Sequence, residues 1–205
     1  MFITFEGIEG SGKSLQARLL VERLRGRGVE VEHTHEPGGT PLGDQLREIL
    51  LVRNDLHLVA RAEALLMCGS RAQIVEQVIR PALDRGDVVV CDRFGDSTLA
   101  YQGYGRGLDI AALRAMLSFA TANLQPDMTI LLDLPVAAGL ERKHAQSAWN
   151  RFEAEARAFH ERVRAGYLAL AADEPRRWQC FDGLKAPEAL ADEIWQRISE
   201  HMGWT

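Results

Sequence analysis

The stretch FEGIEGSGKS, residues 5–14, constrains the fold more than any other part of this 205-residue chain. Gly7, Gly12, Lys13 and Ser14 fit the pattern G-x-x-x-x-G-K-[ST]. An apolar run precedes the pattern and a stretch of helical period follows it. The backbone N–H groups of such a loop, and the positive end of the helix, converge on one anion. The sequence therefore predicts a phosphate-binding loop between a strand and a helix, and use of a nucleoside triphosphate.

The loop pattern also assigns roles to its residues. Lys13 is predicted to reach the β- and γ-phosphates, and the Ser14 hydroxyl is predicted to bind Mg²⁺. The predicted ATP-binding residues are Gly7, Ile8, Glu9, Gly10, Ser11, Gly12, Lys13 and Ser14. The carboxylate of Glu9 is unexpected inside an anion site and calls for a separate explanation.

The rest of the chain alternates short apolar runs with longer stretches of helical period, as in a parallel sheet covered by helices on both faces. Strands are predicted at 2–6, 29–34, 88–92, 128–134 and 177–181. We predict an α/β fold with five parallel strands, in a single domain spanning residues 1–205. Irregular structure, where function concentrates, is predicted at 35–43, 93–107 and 143–150.

Three helices are predicted, two from their start or stop signals and one from its apolar spacing. The first carries Leu20 and Leu24 on its apolar face and is stopped by Gly26 and Gly28, and the last begins near Pro187. The longest late helix is predicted to carry Phe152, Phe159, Val163, Tyr167 and Leu170 at helical spacings.

Composition excludes several classes of protein. The chain has 24 basic and 29 acidic residues, a net charge of -5, so we expect neither a nucleic-acid nor a membrane partner. Its three cysteines form no CxxC pair, which argues against a disulfide framework or a zinc site. The N-terminal MFITF lacks the features of a signal peptide, and no apolar run approaches the roughly 18 residues of a membrane span. We expect a soluble, cytoplasmic protein.

The third predicted strand ends in CDRFGDSTLAYQGYGRG, residues 91–107. An aspartate at this strand end, Asp92, can hold Mg²⁺, and Arg93 can take a phosphate bidentately. An ordinary ion pair at a strand end remains the alternative. The chain contains no N-K-x-D motif of a GTP-binding switch, and it is too short for most motors. A kinase that brings two phosphorylated molecules together is favoured.

Six blocks along the chain together resemble the thymidylate kinases of bacteria. They read FEGIEGSGKS, EPGGTPLGDQLREIL, AEALLMCGSRAQIVEQVIRPAL, DRFGDSTLAYQGYGRG, DLPVAAGLERK and RFEAEARAFHERVRAGYLALA. The resemblance implies the fold of the P-loop nucleoside monophosphate kinases and transfer of the γ-phosphate of ATP to dTMP with Mg²⁺. It also implies a homodimer.

The resemblance assigns the acceptor site residue by residue. Arg71 and Gln102 would contact the thymine edge, with Thr98 nearby, and Met67 stands where most members place an aromatic ring over the base. Tyr101 would lie beside the deoxyribose, and Glu9 would face the acceptor sugar or the metal's water shell. The predicted dTMP-binding residues are Glu9, Glu36, Arg47, Met67, Arg71, Arg93, Thr98, Tyr101 and Gln102.

If the acceptor is the phosphate of dTMP, catalysis needs no strong general base, because a phosphate monoester is largely dianionic at pH 7. Positive charge must instead offset the repulsion between two anions. The family's lid corresponds to residues 141–152, where Arg142 and Arg151 are the predicted contributors. The predicted catalytic residues are Lys13, Arg93, Arg142, Arg151 and Glu9, and the predicted metal ligands are Ser14 and Asp92.

The chain departs from the family pattern in ways that leave alternatives open. His35 replaces an arginine and Met67 replaces the stacking aromatic, which would suit a related nucleoside monophosphate kinase with altered base choice. His144 and Gln146 thin the positive charge of the lid. That change would suit a catalytically weak nucleotide-binding relative.

Overall fold

A single parallel sheet organises the computed structural model, which describes residues 1–53, 55–144, 152 and 155–204. Its strands are β1 Phe2–Glu6, β2 Val31–His35, β3 Val88–Asp92, β4 Met128–Asp133 and β5 Trp178–Asp182. The strand order is β2-β3-β1-β4-β5, and every neighbouring pair is parallel. The predicted fold class is confirmed. The predicted ends of β2, β4 and β5 differ by one or two residues from those observed.

Helices cover both faces of this sheet. They are α1 Lys13–Gly26, α2 Pro41–Arg47, α3 Ala60–Ile74, α4 Arg80–Asp84, α5 Gly95–Thr98, α6 Ile110–Thr121, α7 Val136–His144, α8 Arg157–Asp173 and α9 Pro187–Met202. Wider π-helical turns occupy Glu48–Val52, Val75–Ile79 and Leu99–Gly105. In the part of the chain described here, none of these helices is long and apolar enough to cross a bilayer.

The central strand β1 is buried along its whole length. Successive side chains of a strand point to opposite faces. Ile3 and Phe5 pack into the core shared with α1 and α9, whereas Phe2 packs on Phe94 at the other face, with the ring centroids 4.9 Å apart. The same alternation turns the carboxylate of Glu6, the last residue of β1, toward the face that carries α5 and α8.

The segment 93–107, predicted to be irregular, is mostly helical, so that prediction was wrong. Its glycines lower helix propensity, but they serve close packing here. A Cβ added at Gly103 would come within 2.4 Å of Ile110, and one at Gly105 within 2.6 Å of Phe159. Contact with α6 and α8 therefore stabilises a helix that local propensity disfavours.

Phe152 was predicted to lie on the longest late helix, and this was also wrong. Helix α8 begins at Arg157. Phe152 precedes it, is buried, and packs edge-on against Tyr101 with the ring centroids 5.6 Å apart. The helical spacing of Phe152 and Phe159 therefore reflects a shared core, not a shared helix.

Candidate active site

A cavity of about 740 Å³ lies at the carboxyl ends of β1 and β3, where ligands bind in open parallel sheets. Its walls come from the phosphate loop, the loop after β2, α3 and the helical segment after β3. Most of the predicted site residues line it: Glu9, Gly10, Gly12, Lys13, Ser14, Glu36, Arg47, Met67, Arg71, Asp92, Arg93, Thr98, Tyr101 and Gln102. Residues from four separate parts of the chain are thus brought together around one space.

The phosphate loop packs closely against helix α7. A Cβ added at Gly10 would lie 2.0 Å from the carbonyl oxygen of Gly139, and one at Gly139 would lie 2.5 Å from that of Glu9. Gly12, at φ 94°, caps the start of α1 in the left-handed conformation that glycine adopts without strain. Glycine at these positions lets the loop turn tightly and pack closely on α7.

Lys13 is held inside the loop by the loop's own atoms. Its Nζ donates to the Ile8 carbonyl at 2.8 Å and to Ser11 Oγ at 3.2 Å. Burial, together with the nearby charge of Arg93, lowers the pKa of Lys13 to about 8 against the opposing effect of Asp92 and Glu9. Gly7, Ile8 and Ser11 do not line the cavity. Ile8 and Ser11 instead hold the Lys13 side chain through these two hydrogen bonds.

Ser14 and Asp92, the two predicted metal ligands, contact each other. The Ser14 hydroxyl donates directly to the Asp92 carboxylate, so one hydroxyl and one carboxylate oxygen stand together at the mouth of the loop. Among the described residues, no cluster of three or more His, Cys, Asp or Glu side chains could hold a metal ion alone. One carboxylate and a hydroxyl nevertheless fit Mg²⁺, which keeps several waters and takes its other ligands from substrate phosphates.

Arg93 connects the phosphate loop to the part of the cavity lined by the predicted dTMP-binding residues Arg71, Thr98 and Gln102, here called the acceptor side. It follows β3 at φ 70°, and its guanidinium donates to five oxygens at 3.1–3.2 Å: Gly7 O, Ser97 Oγ, Tyr167 OH, Glu9 Oε1 and Tyr101 OH. Although burial opposes its charge, Tyr101, Tyr167 and the glutamates raise the pKa of Arg93 well above its ordinary value. The guanidinium is a fixed positive charge in the cavity wall.

Glu9 faces this acceptor side. Its Oε1 accepts from Tyr101 OH at 2.6 Å as well as from Arg93. Burial opposes ionisation of this carboxyl, but His160, Arg93 and Lys13 together lower the pKa of Glu9 to about 2. His160 Nδ1 lies 3.5 Å from Glu9 Oε2. A carboxylate that favours its charged form therefore stands between the loop and the helical segment after β3.

Arg71 lies at the far end of the cavity in a buried ion pair with Glu36. Its Nε donates to Glu36 Oε2 at 2.7 Å, its Nη1 to Thr98 Oγ1 at 2.9 Å and its Nη2 to the Phe94 carbonyl at 3.0 Å. Burial raises the pKa of Glu36 to about 7 against the lowering effect of Arg71. Glu36, predicted as a dTMP-binding residue, holds the Arg71 guanidinium in position.

Gln102 is oriented by a carboxylate that the sequence analysis missed. Its Nε2 donates to Glu63 Oε1 at 2.9 Å, and Glu63 is also bound by Arg106. A signal was available, because Glu63, Met67 and Arg71 recur every four residues and so share one face of α3. A glutamate on that face, among buried residues, marks a polar network.

Three further polar residues stand close to the site and come from distant parts of the chain: Glu6, His160 and Tyr167. Glu6 accepts from Ser97 Oγ at 2.6 Å and from Tyr167 OH at 2.8 Å, and His160 stands behind Glu9. No local pattern marks these residues, because their functional neighbours lie on other elements.

The remaining predicted residues are less closely associated with the cavity. Arg47 Nη1 donates to the Pro37 carbonyl at 2.7 Å. Arg142 Nη1 donates to the Gly183 carbonyl at 2.7 Å, and Arg142 does not line the cavity, whereas the adjacent Lys143 does. Arg151 lies outside the described residues, so its predicted role stays a prediction. Phe152 lines the cavity beside Tyr101 and was not predicted as a site residue.

Comparison with known proteins agrees with this arrangement. The family model described as thymidylate kinase matches residues 5–194. A thymidylate kinase of Thermomicrobium roseum is 52% identical over 202 residues, covering 98% of this chain and 95% of the relative. A thymidylate kinase of Desulfovibrio desulfuricans is also 52% identical, over 209 residues, covering 98% of this chain and 96% of the relative.

A solved structure agrees in fold as well. The crystal structure of thymidylate kinase from Ehrlichia chaffeensis superposes with a TM-score of 0.79 at 32% identity, covering 97% of this chain and 98% of that one. The similarity thus extends over nearly the whole chain. The chain belongs to the thymidylate kinase family.

Proposed function

We propose that this protein transfers the γ-phosphate of ATP to dTMP, giving dTDP. The observation that carries the proposal is the single cavity that joins a phosphate loop to a polar pocket containing Arg71, Thr98 and Gln102. Membership of the thymidylate kinase family supports the same reaction. The donor and acceptor would meet between Lys13 and Arg93, on the two sides of Glu9.

The donor side rests on the loop and on Lys13. Loop amides and the N-terminus of α1 would hold the ATP phosphates. Lys13 would leave its contacts with Ile8 and Ser11 for the β- and γ-phosphates. Ser14 and Asp92 would hold Mg²⁺, which when bound neutralises charge on the phosphates.

The acceptor side supplies charge and orientation rather than a base. The dTMP phosphate is largely dianionic at neutral pH, so its oxygen attacks without prior proton removal. Arg93 offsets the repulsion between the two anions, and Arg47 orients the acceptor phosphate. Arg142 and Arg151 would add positive charge from the lid. Arg142 would exchange its Gly183 partner for phosphate as the lid closes.

The pocket matches the hydrogen-bonding edge of thymine. Arg71 has five N–H donors, and Glu36, Thr98 and the Phe94 carbonyl engage the Nε, Nη1 and Nη2 atoms that carry them. One Nη1 hydrogen remains for the O4 acceptor of thymine. Gln102 would accept from N3–H, and Met67 would cover the ring.

The sugar would lie against Tyr101 and Glu9. The Tyr101 ring, braced edge-on by Phe152, would crowd a 2′-hydroxyl. The Glu9 carboxylate would accept from the 3′-hydroxyl, because it stays ionised across the physiological range. This pair favours a deoxynucleotide over a ribonucleotide.

Three free cysteines, Cys68, Cys91 and Cys180, agree with a reducing compartment. We propose a cytoplasmic location on this ground. Thiol titration of protein freshly isolated from the cell should recover all three.

A panel of acceptors tests the reaction directly. With ATP and Mg²⁺, coupled release of ADP should occur with dTMP at a turnover in the kinase range of roughly 1–100 per second. It should fall steeply with dCMP, dGMP and AMP. Because uracil shares thymine's edge, dUMP should be the best of the other acceptors. Absence of dTMP-dependent turnover would overturn the proposal.

Proton uptake tests the predicted role of Lys13. Because the pKa of Lys13 is about 8, about half of the protein molecules carry a neutral Lys13 at pH 8. Bound phosphates favour the charged form of this lysine. Binding of ATP without acceptor should therefore take up about half a proton at pH 8 and about a tenth at pH 7. Calorimetry in buffers of different ionisation enthalpy measures this uptake.

The matched control for this titration is Lys13→Arg, whose side chain stays charged throughout the range. The pH-dependent uptake should disappear in that variant. Equal uptake in both proteins, or none in the parent at pH 8, would contradict the role given to Lys13.

We also propose that the enzyme is a homodimer. Leu65 on α3 is 61% exposed and Phe119 on α6 is 90% exposed, and these two helices pack on each other. Exposed aromatic and aliphatic side chains on adjoining helices are suited to the apolar centre of a two-fold interface.

Charge substitutions test this interface. Leu65→Glu and Phe119→Glu should each shift the sedimentation equilibrium from dimer toward monomer. Leu184→Glu, at a 49% exposed position after β5, is the control and should leave the dimer intact. A parent protein that sediments as a monomer would exclude the dimer.

A further inference from the structure

We propose that Glu63, a buried carboxylate behind the pocket wall, sets the base selectivity of the enzyme by fixing the orientation of the Gln102 amide. The inference rests on the proposed function, since it concerns how the same pocket reads thymine. Glu63 is a positioning residue, because Gln102 stands between it and the cavity.

Glu63 lies on the inner face of α3 and is only 1% exposed. Its Oε1 accepts from Gln102 Nε2 at 2.9 Å and from Arg106 Nε at 3.2 Å, and its Oε2 accepts from Arg106 Nη2 at 3.1 Å. Gln102 itself is 1% exposed and lines the cavity. A polar network, buried at Glu63 and Gln102 and partly exposed at Arg106, thus reaches the pocket through one amide.

The carboxylate permits only one orientation of that amide. An ionised glutamate accepts hydrogen bonds and cannot donate them. If the Gln102 amide turned over, two oxygens would face each other in a buried site, which is costly. Arg106 holds Glu63 in place, since its guanidinium is itself fixed by Glu155 at 2.5 Å and by the Phe159 ring, whose centroid lies 4.8 Å from the guanidinium carbon.

The fixed amide gives the pocket a defined order of donor and acceptor. One Nε2 hydrogen goes to Glu63, and the Oε1 of Gln102, which accepts a hydrogen bond from none of the described residues, is the acceptor left for the base. Arg71 is committed in the same way by Glu36 and has one N–H to spare. The pocket therefore presents a donor beside an acceptor.

Thymine complements this order and cytosine reverses it. Thymine offers the O4 acceptor to Arg71 and the N3–H donor to Gln102. Cytosine offers an amino donor to Arg71 and a bare N3 acceptor to the Gln102 oxygen, so both contacts are unfavourable. Two buried carboxylates, Glu36 and Glu63, thus set the two contacts that exclude dCMP.

Removing the charge of Glu63 tests the proposal. In Glu63→Gln the residue at position 63 can donate or accept, so the Gln102 amide is free to turn. The KM for dTMP should rise by roughly 10-fold with a smaller change in kcat. The ratio of the Ki of dCMP, measured as a competitor of dTMP, to the KM of dTMP should fall by roughly 10- to 100-fold.

The matched control is Glu155→Gln. It removes the other carboxylate of Arg106 but touches neither Gln102 nor Glu63, so the selectivity ratio should stay within about twofold of the parent. A second test variant, the double substitution Glu63→Met with Arg106→Met, removes the buried pair together. It leaves the Glu155 carboxylate without Arg106, but that group is 29% exposed and can be hydrated. No buried charge is left unpaired, and the variant should lose selectivity as Glu63→Gln does.

An unchanged ratio in a folded Glu63→Gln protein with normal KM for ATP would overturn the proposal. So would an equal loss of selectivity in Glu155→Gln. If Glu63→Gln does not fold, the double variant decides on the same criteria. Failure of the proposed function is separately visible, because the parent protein would then show no turnover with dTMP.

Discussion

The fixed charge of Arg93 is the interaction on which the rest of the site depends. Its guanidinium joins the Gly7 carbonyl and Glu9 of the phosphate loop to Tyr101 on the acceptor wall and to Tyr167 on α8. A buried positive charge of this kind is tolerated only when hydrogen-bonded acceptors surround it. The hydrogen bonds that stabilise the Arg93 charge therefore also hold the phosphate loop and the acceptor wall at a set separation. Phosphoryl transfer between two anions requires such a fixed separation.

The same principle recurs at the base end of the cavity. Arg71 and Gln102 are each held by a buried carboxylate, Glu36 and Glu63 respectively. A pocket that reads hydrogen-bonding groups needs side chains that cannot turn to suit the wrong base. Under the proposed function, charge buried behind the pocket would supply that rigidity, so that a flexible Met67, in place of a stacking ring, would be compatible with base selection.

The sequence predicted what local patterns encode. The glycine and lysine spacing located the phosphate loop, and apolar runs located all five strands within two residues. Positions four apart placed Met67 and Arg71 on one face of α3, and the same rule would have found Glu63. Partners brought together only by tertiary packing were not predictable in this way: the Tyr167–Glu6 contact joins residues 161 apart in the chain. The glycine-rich segment after β3 was predicted to be irregular and is helical, because packing overrides its low helix propensity.

Arg93, Glu9 and Tyr101 contact one another, and we propose that the Glu9–Tyr101 contact on which Arg93 converges binds the phosphate loop to the acceptor wall and so shapes the dTMP site. A double-mutant cycle with Glu9→Gln and Tyr101→Phe, read out as calorimetric affinity for dTMP, tests it most directly. We expect a coupling free energy of about 1–3 kcal/mol for dTMP and affinity for ATP within about twofold of the parent. Effects on dTMP binding that simply add, to within about 0.5 kcal/mol, would contradict it.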